Sequence, residues 1–125
     1  MRKVLVVDDE FLVRVGIKSF LNWEENGYTI IGEAADGRQA LEIMERELPD
    51  VVLTDLKMDG MDGFELIQVS RKRFPTVQFV VLSSFEDGEN VKRAMKLGAA
   101  DYIFKLTSKP DELLRILNEL PYEQP

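Results

Sequence analysis

The sequence predicts an α/β fold, a doubly wound five-stranded parallel sheet with helices on both faces. Five short runs rich in Val, Ile, Leu and Phe alternate with longer stretches whose apolar residues recur at helical spacing. Units alternating in this way close into a parallel sheet, because each helix returns the chain to start a strand in the same direction. Most of the runs are nearly continuous in apolar residues, as strands covered on both faces must be. At 125 residues the chain fits one domain. That length allows roughly two-thirds of the unfolded surface to be buried without help from a metal or a disulfide.

The elements follow in order. Lys3–Val7 is the first strand, and the acidic run Asp8-Asp9-Glu10 ends it. Leu12, Val15 and Phe20 lie at helical spacing and predict the first helix. Tyr28–Gly32 is the second strand, and Asp36 before Gly37 reads as the cap of a helix carrying Ala40, Leu41 and Met44. Val51–Thr54 is the third strand. Asp62-x-x-Glu65 has the form of a capping box and opens the helix of Phe64 and Ile67. Val77–Leu82 is the fourth strand, followed by Ser83-Ser84 and a helix marked by Val91, Ala94 and Met95. Gly98, after Leu97, is where that helix should stop. Ala100–Phe104 is the fifth strand. Ser108-x-x-Asp111 offers a weaker cap, with Pro110 tolerated in the first turn, for a last helix carrying Leu113, Leu114 and Leu117. Residues 121–125, polar and proline-flanked, read as a linker-like tail after a domain of residues 1–120.

Composition removes whole classes of function. The chain holds 16 basic and 23 acidic residues, a net charge of −7, and its pI is near 4.7. Direct contact with nucleic acid or an anionic membrane needs a basic face, which this balance does not supply. Cysteine is absent, which excludes disulfides, thiolate nucleophiles and cysteine-held metals. Histidine is absent too, which excludes Ser-His-Asp catalysis and histidine-held metals. Chemistry here has to run on carboxylates, lysines, hydroxyls and a hard cation. The apolar stretch Val4–Val7 is too short for a signal peptide, and no run approaches the ~18 apolar residues of a membrane span. A cytoplasmic domain is expected.

In open parallel sheets ligands bind at the carboxyl ends of the strands, so those ends are where function should lie. The first strand delivers Asp8 and Asp9, the third Asp55 and then Lys57, the fourth Ser83, and the fifth Lys105. Taken singly each has an ordinary reading: an acidic residue after a strand caps the next helix, a lysine is solvated, a serine turns the chain. Taken together, with the first, third, fourth and fifth strands adjacent, they build one pocket. Clustered carboxylates repel unless a positive group joins them. A hard divalent cation suits oxygen ligands of this kind, and Mg²⁺ combines carboxylates with waters and phosphate. The site is expected to serve a metal, a phosphoryl group and a carboxylate nucleophile.

These residues sit in motifs that resemble the receiver domain of bacterial two-component response regulators. The motifs are Val4-Leu5-Val6-Val7-Asp8-Asp9-Glu10, Asp50 through Met58 around Asp55, Met61-Asp62-Gly63, Val81-Leu82-Ser83-Ser84, and Gly98 through Lys105. Residues 21–41 are similar to a subgroup whose output is an AraC-type DNA-binding module. The resemblance implies the CheY-like, flavodoxin-like strand order 2-1-3-4-5. It makes Asp55 the phosphoryl acceptor, Asp9 a direct Mg²⁺ ligand, and Asp8 a holder of the metal partly through water. Lys57 would give the metal its backbone carbonyl. Ser83 would bond a phosphoryl oxygen, Lys105 would pair with Asp55 or the phosphoryl group, and Tyr102 would turn inward as Ser83 moves. The donor would be a phosphohistidine of a sensor histidine kinase. The expected consequences are homodimerisation through the face of the fourth helix and fifth strand, and control of a covalently linked DNA-binding output domain. The domain would be a switch rather than an enzyme, assisting only its own Mg²⁺-dependent phosphorylation and dephosphorylation.

Two departures from the pattern stand out: Leu106 replaces the usual proline after Lys105, so a trans Lys105–Leu106 peptide is expected, and Asp59 stands where a proline is common. The side chains of Lys57 and Phe85, each two residues beyond a site residue, are expected to set the lifetime of the phosphoryl group. Three other readings fit less well. An aspartyl-phosphate hydrolase wants an acid two residues past its nucleophile, where Lys57 stands. A degenerate receiver would lack one of the acidic residues, and none is missing. A flavin site would want a phosphate-binding loop where this chain has Asp8-Asp9-Glu10.

Overall fold

The computed structural model describes residues 1–84, 87–105 and 108–122. Its strands are β1 (Arg2–Val7), β2 (Tyr28–Ala34), β3 (Val51–Asp55), β4 (Gln78–Ser83) and β5 (Asp101–Phe104). They alternate with α1 (Phe11–Phe20), α2 (Gly37–Arg46), α3 (Gly63–Arg73), α4 (Gly88–Leu97) and α5 (Pro110–Glu119). The sheet is parallel with order β2-β1-β3-β4-β5, the doubly wound order expected. Two features lie outside the expectation. A single 3₁₀ turn, Glu24–Asn26, precedes β2, and β2 runs on to Ala34 past an irregularity opposite Val4 and Leu5.

The strands alternate their side chains between two cores. Leu5, Val7, Val52, Phe79 and Val81 face one way and are covered by Ala40 and Met44 of α2, Leu66 and Ile67 of α3, and Ala94 of α4. Val4, Val6, Leu53, Val80, Leu82 and Ile103 face the other and meet Trp23, Tyr28 and, from α5, Leu113, Ile116 and Leu117. Most of these are under 2 % exposed. Burying a side chain of this kind contributes about 1.5–3 kcal/mol, which is what holds the sheet between its layers.

Caps follow the sequence closely at three helices. Asp36 accepts from the Gln39 N–H at 2.9 Å while Gln39 Oε1 accepts from the Ala35 N–H at 2.9 Å, a reciprocal box. Asp62 accepts from the Glu65 N–H at 2.9 Å. Gly98 closes α4 at φ 118°, its N–H returning to Ala94 and Met95 carbonyls. At α5 the structure differs. Lys109 holds the cap position without a side-chain bond, and the Ser108 hydroxyl instead accepts from the Phe104 N–H at 3.1 Å, closing the loop after β5.

The first helix also differs. Leu12 is 78 % exposed and Val15 39 %, whereas Ile17 and Phe20 pack on the sheet. The periodicity is real, but the helix turns a different stripe inward. Past α5, Pro121 and Tyr122 fold back on the amino end of the sheet. Gln78 Nε2 donates to the Pro121 carbonyl at 3.2 Å, and the Arg2 guanidinium lies 3.9 Å above the Tyr122 ring. No helix among the described residues is long and apolar enough to cross a membrane.

Candidate functional site

Because β1, β3, β4 and β5 are parallel neighbours in staggered register, their carboxyl ends finish together. Val7 pairs with Thr54, Asp55 with Leu82, and Ser83 with Phe104. Asp8 therefore follows β1, Asp55 closes β3, Ser83 closes β4 and Lys105 follows β5, all on one rim. Lys105 Nζ stands between two carboxylates, 2.9 Å from Asp8 Oδ2 and 3.1 Å from Asp55 Oδ2. The free oxygens of both acids are tied to backbone. Glu10 N–H donates to Asp8 Oδ1 at 2.9 Å and Leu56 N–H to Asp55 Oδ1 at 2.7 Å.

The site is nearly dry at its base and open at its rim. Asp8 is fully buried and Asp55 9 % exposed, while Asp9 is exposed. Burial pushes the Asp55 carboxyl above its usual range and the charge of Asp8 adds to this, with Lys105 pulling the other way. For Lys105 burial opposes the charged form, but its bonds to Asp8 and Asp55 outweigh that and its ammonium is held above the ordinary lysine value. At Asp55, one lysine thus opposes the burial and the neighbouring acid that favour the neutral carboxyl.

Oxygens of Asp8, Asp9 and Asp55 all lie within 4.8 Å of one another. Ligand oxygens on one Mg²⁺ are roughly 3–4 Å apart, given bonds of 2.0–2.1 Å, so the trio stands at or close to ligand spacing. Beside them Ser83 Oγ is buried and has no hydrogen-bond partner among the described residues. An orphaned buried hydroxyl costs stability in a finished core, and here it marks a place for an incoming oxygen. The residues fit a hard cation and an oxyanion.

The remaining predicted residues lie at the periphery. Tyr102 is on β5 and 38 % exposed, its ring packed edge-on to that of Phe104 at 5.5 Å. The Lys57 side chain is largely exposed and reaches across the mouth of the site to Asp87 Oδ1 at 3.5 Å. Phe85 and Leu106, and with Leu106 the peptide that follows Lys105, lie outside the described residues. Gly63 brings α3 against the acceptor: a Cβ there would sit 2.2 Å from the Asp55 carbonyl oxygen. Two residues at the site escape a reading by motif. Asp87 looks like loop, and Arg14 like a solvated helix residue, yet Arg14 donates to the Asp8 carbonyl at 2.6 Å. A cation one helical turn past an acidic run was the available signal.

The profile of the response regulator receiver domain matches residues 4–118. The transcriptional regulatory protein YesN of Bacillus subtilis is 43 % identical over 105 residues, covering 84 % of this chain and 28 % of that protein. The response regulator protein VraR of Staphylococcus epidermidis is 41 % identical over 109 residues, covering 87 % of this chain and 52 % of that one. The chain thus spans about half or less of these curated relatives. Among solved structures, the REC domain of AraT, a response regulator from Geobacillus stearothermophilus, superposes with a TM-score of 0.85 at 31 % identity, covering 94 % of this chain and 91 % of that one. The signal receiver domain of the putative response regulator NarL of Mycobacterium tuberculosis gives 0.83 at 31 % identity, with 94 % of each chain covered. The sheet order, the acidic rim with its lysine, and these matches agree, and the chain belongs to the response regulator receiver domain family.

Proposed function

We propose that this domain is a phosphoacceptor switch in which Asp55 takes a phosphoryl group from a phosphohistidine of a sensor histidine kinase in a Mg²⁺-dependent step. The observation that carries the reading is Lys105 Nζ, within 3.1 Å of both Asp8 and Asp55, beside the Ser83 hydroxyl, which is buried with no partner among the described residues. A carboxylate oxygen of Asp55 attacks phosphorus in line. The O–P bond forms as the N–P bond breaks, and the imidazole leaves with a proton. Asp8, Asp9, Asp55 and the Lys57 backbone carbonyl would hold the metal, which when bound neutralises charge on the phosphoryl oxygens. Lys105 and Ser83 contact the remaining oxygens. Two residues beyond Asp55 stands Lys57 rather than an acid, so the acyl-phosphate persists as a signal instead of turning over as an enzyme intermediate.

The output follows from the same chemistry. Ser83 moves toward the phosphoryl group, Tyr102 follows inward, and the α4–β5 face changes shape. That face exposes Met95 and Tyr102, each 38 % accessible, and supports self-association on phosphorylation. YesN is named a transcriptional regulatory protein, which supports a transcriptional output domain linked beyond a receiver of residues 1–120 by the segment 121–125; the AraC type of that output rests on the likeness of residues 21–41 alone. This domain itself touches neither nucleic acid nor membrane. A kinase donor and a transcriptional output place its work in the cytoplasm. The Lys57 side chain, over the mouth of the site, flanks the path of attacking water and times the decay; Phe85, expected from the sequence to share that role, lies outside the described residues.

The test is direct. Wild-type protein incubated with Mg²⁺ and a small acyl-phosphate should gain a single phosphate by intact mass, and Asp55→Asn should gain none. Labelling of Asp55→Asn at the wild-type rate would overturn the assignment.

A further inference from the structure

We infer that Arg14 is a positioning residue for the metal site: it fixes the Asp8–Asp9 peptide and thereby sets Mg²⁺ affinity. The inference rests on the phosphoacceptor reading of this same site. Arg14 is on α1 with its side chain 15 % exposed, unusual for an arginine on a surface helix. It donates in two directions, from Nη1 to the Asp8 carbonyl at 2.6 Å and from Nε to Glu33 Oε1 at 2.9 Å. Glu33 is a firm anchor. It lies in β2 opposite Val6, and Lys18 also bonds its second oxygen. The bond from Lys18, with that from Arg14, keeps the Glu33 carboxyl below its ordinary range.

The peptide geometry carries the consequence to Asp9. The Asp8 N–H is already held by the Ala34 carbonyl at 3.0 Å. Its carbonyl belongs to the planar Asp8–Asp9 peptide, so the bond from Arg14 fixes the plane that also carries the Asp9 nitrogen. Asp9 needs such support. It is exposed, and its carboxylate takes no hydrogen bond or ion pair among the described residues, unlike Asp8 and Asp55 with their lysine. Arg14 and its fork to Glu33 are therefore what aims the exposed ligand at the other two. Groups that orient metal ligands change affinity when lost even though they never touch the ion.

The sign of the effect separates this role from simple charge. Arg14 is a cation near a cation site, so if it acted only through its charge, Arg14→Gln would tighten Mg²⁺ binding. Positioning demands the reverse. Calorimetric Mg²⁺ titration of the full chain should show Arg14→Gln about tenfold weaker than wild type, the low end for lost ligand-orienting groups. Arg14→Lys keeps the charge but cannot fork to both partners, so it too should bind more weakly. At saturating Mg²⁺, labelling by a small acyl-phosphate should return to the wild-type rate in both variants, because the acceptor and Lys105 are untouched. Circular dichroism establishes that each variant is folded at the titration temperature, and Arg14→Lys serves if Arg14→Gln is not. Equal or tighter Mg²⁺ binding by the folded variants, beside a wild type that binds, overturns the role of Arg14 alone. A wild type that neither binds Mg²⁺ nor is labelled overturns the phosphoacceptor reading beneath it.

Discussion

Replacing Lys105 with methionine removes the cation between Asp8 and Asp55 while keeping a side chain of similar length. Oxygens of the two carboxylates lie within 4.8 Å of each other, and at an effective dielectric of about 20 two unit charges at that distance repel by about 3.5 kcal/mol. The pair can escape by binding a proton, but at pH 7 protonating an ordinary aspartate costs about 4 kcal/mol. The two routes are comparable, and losing the buried lysine removes its own desolvation cost. The net loss at pH 7 without metal should thus be about 2–3 kcal/mol, below the 3–5 found when a fully buried pair is broken. At about pH 4 the proton is nearly free and the loss should shrink below about 1 kcal/mol. The sign follows from Asp55, whose carboxyl burial already lifts above its usual range. Without Lys105 it rises further, and a carboxyl that holds its proton more tightly when folded makes stability fall as pH rises from about 4 toward neutral. The assay is thermal melting in chelator at both pH values. A drop of roughly 10 °C at pH 7 is expected for a domain of this size, with most of it recovered at the lower pH. Equal losses at the two pH values would show that Lys105 acts by packing. No loss at pH 7 would refute the repelling pair.

Other outcomes follow from single contacts. Gly63→Ala places a Cβ 2.2 Å from the Asp55 carbonyl oxygen and 2.8 Å from Leu56 Cα; backbone on both sides cannot yield, so it should cost about 3 kcal/mol or more in urea unfolding and slow acceptor labelling. Phe79→Ala, at 1 % exposure, should cost about 3–5 kcal/mol, whereas Leu12→Ala on the exposed stripe of α1 should stay within about 0.5 kcal/mol. Reversal of that order would mean that α1 packs differently in solution. Asp87→Asn frees the largely exposed Lys57 from its ion pair and should lengthen the life of the phosphorylated protein, followed by intact mass. An unchanged decay rate would remove that pair from the timing of the signal.

What the amino-acid sequence determined by itself is whatever depends on neighbours along the chain. Nearly continuous apolar runs marked β1, β3 and β4, because a strand covered on both faces has no polar side to show, and shorter apolar runs marked the edge strands β2 and β5. Asp36, Asp62 and Gly98 announced helix ends, because a cap bonds backbone only a few residues away. The acidic pair, Asp55, Ser83 and Lys105 were legible because parallel strands deliver their last residues to a common edge. Tertiary structure decided the rest. Leu12 and Val15 have the right period for a buried stripe, but the rotation of α1 is fixed by how its neighbours pack, and it leaves them in solvent. Ser108 accepts from the Phe104 N–H instead of capping α5, because the fold brings that donor within its reach. Lys57 finds Asp87, and Arg14 finds the Asp8 carbonyl and Glu33. Long charged side chains span several ångströms and choose partners by distance in space, and that distance exists only once the sheet has folded.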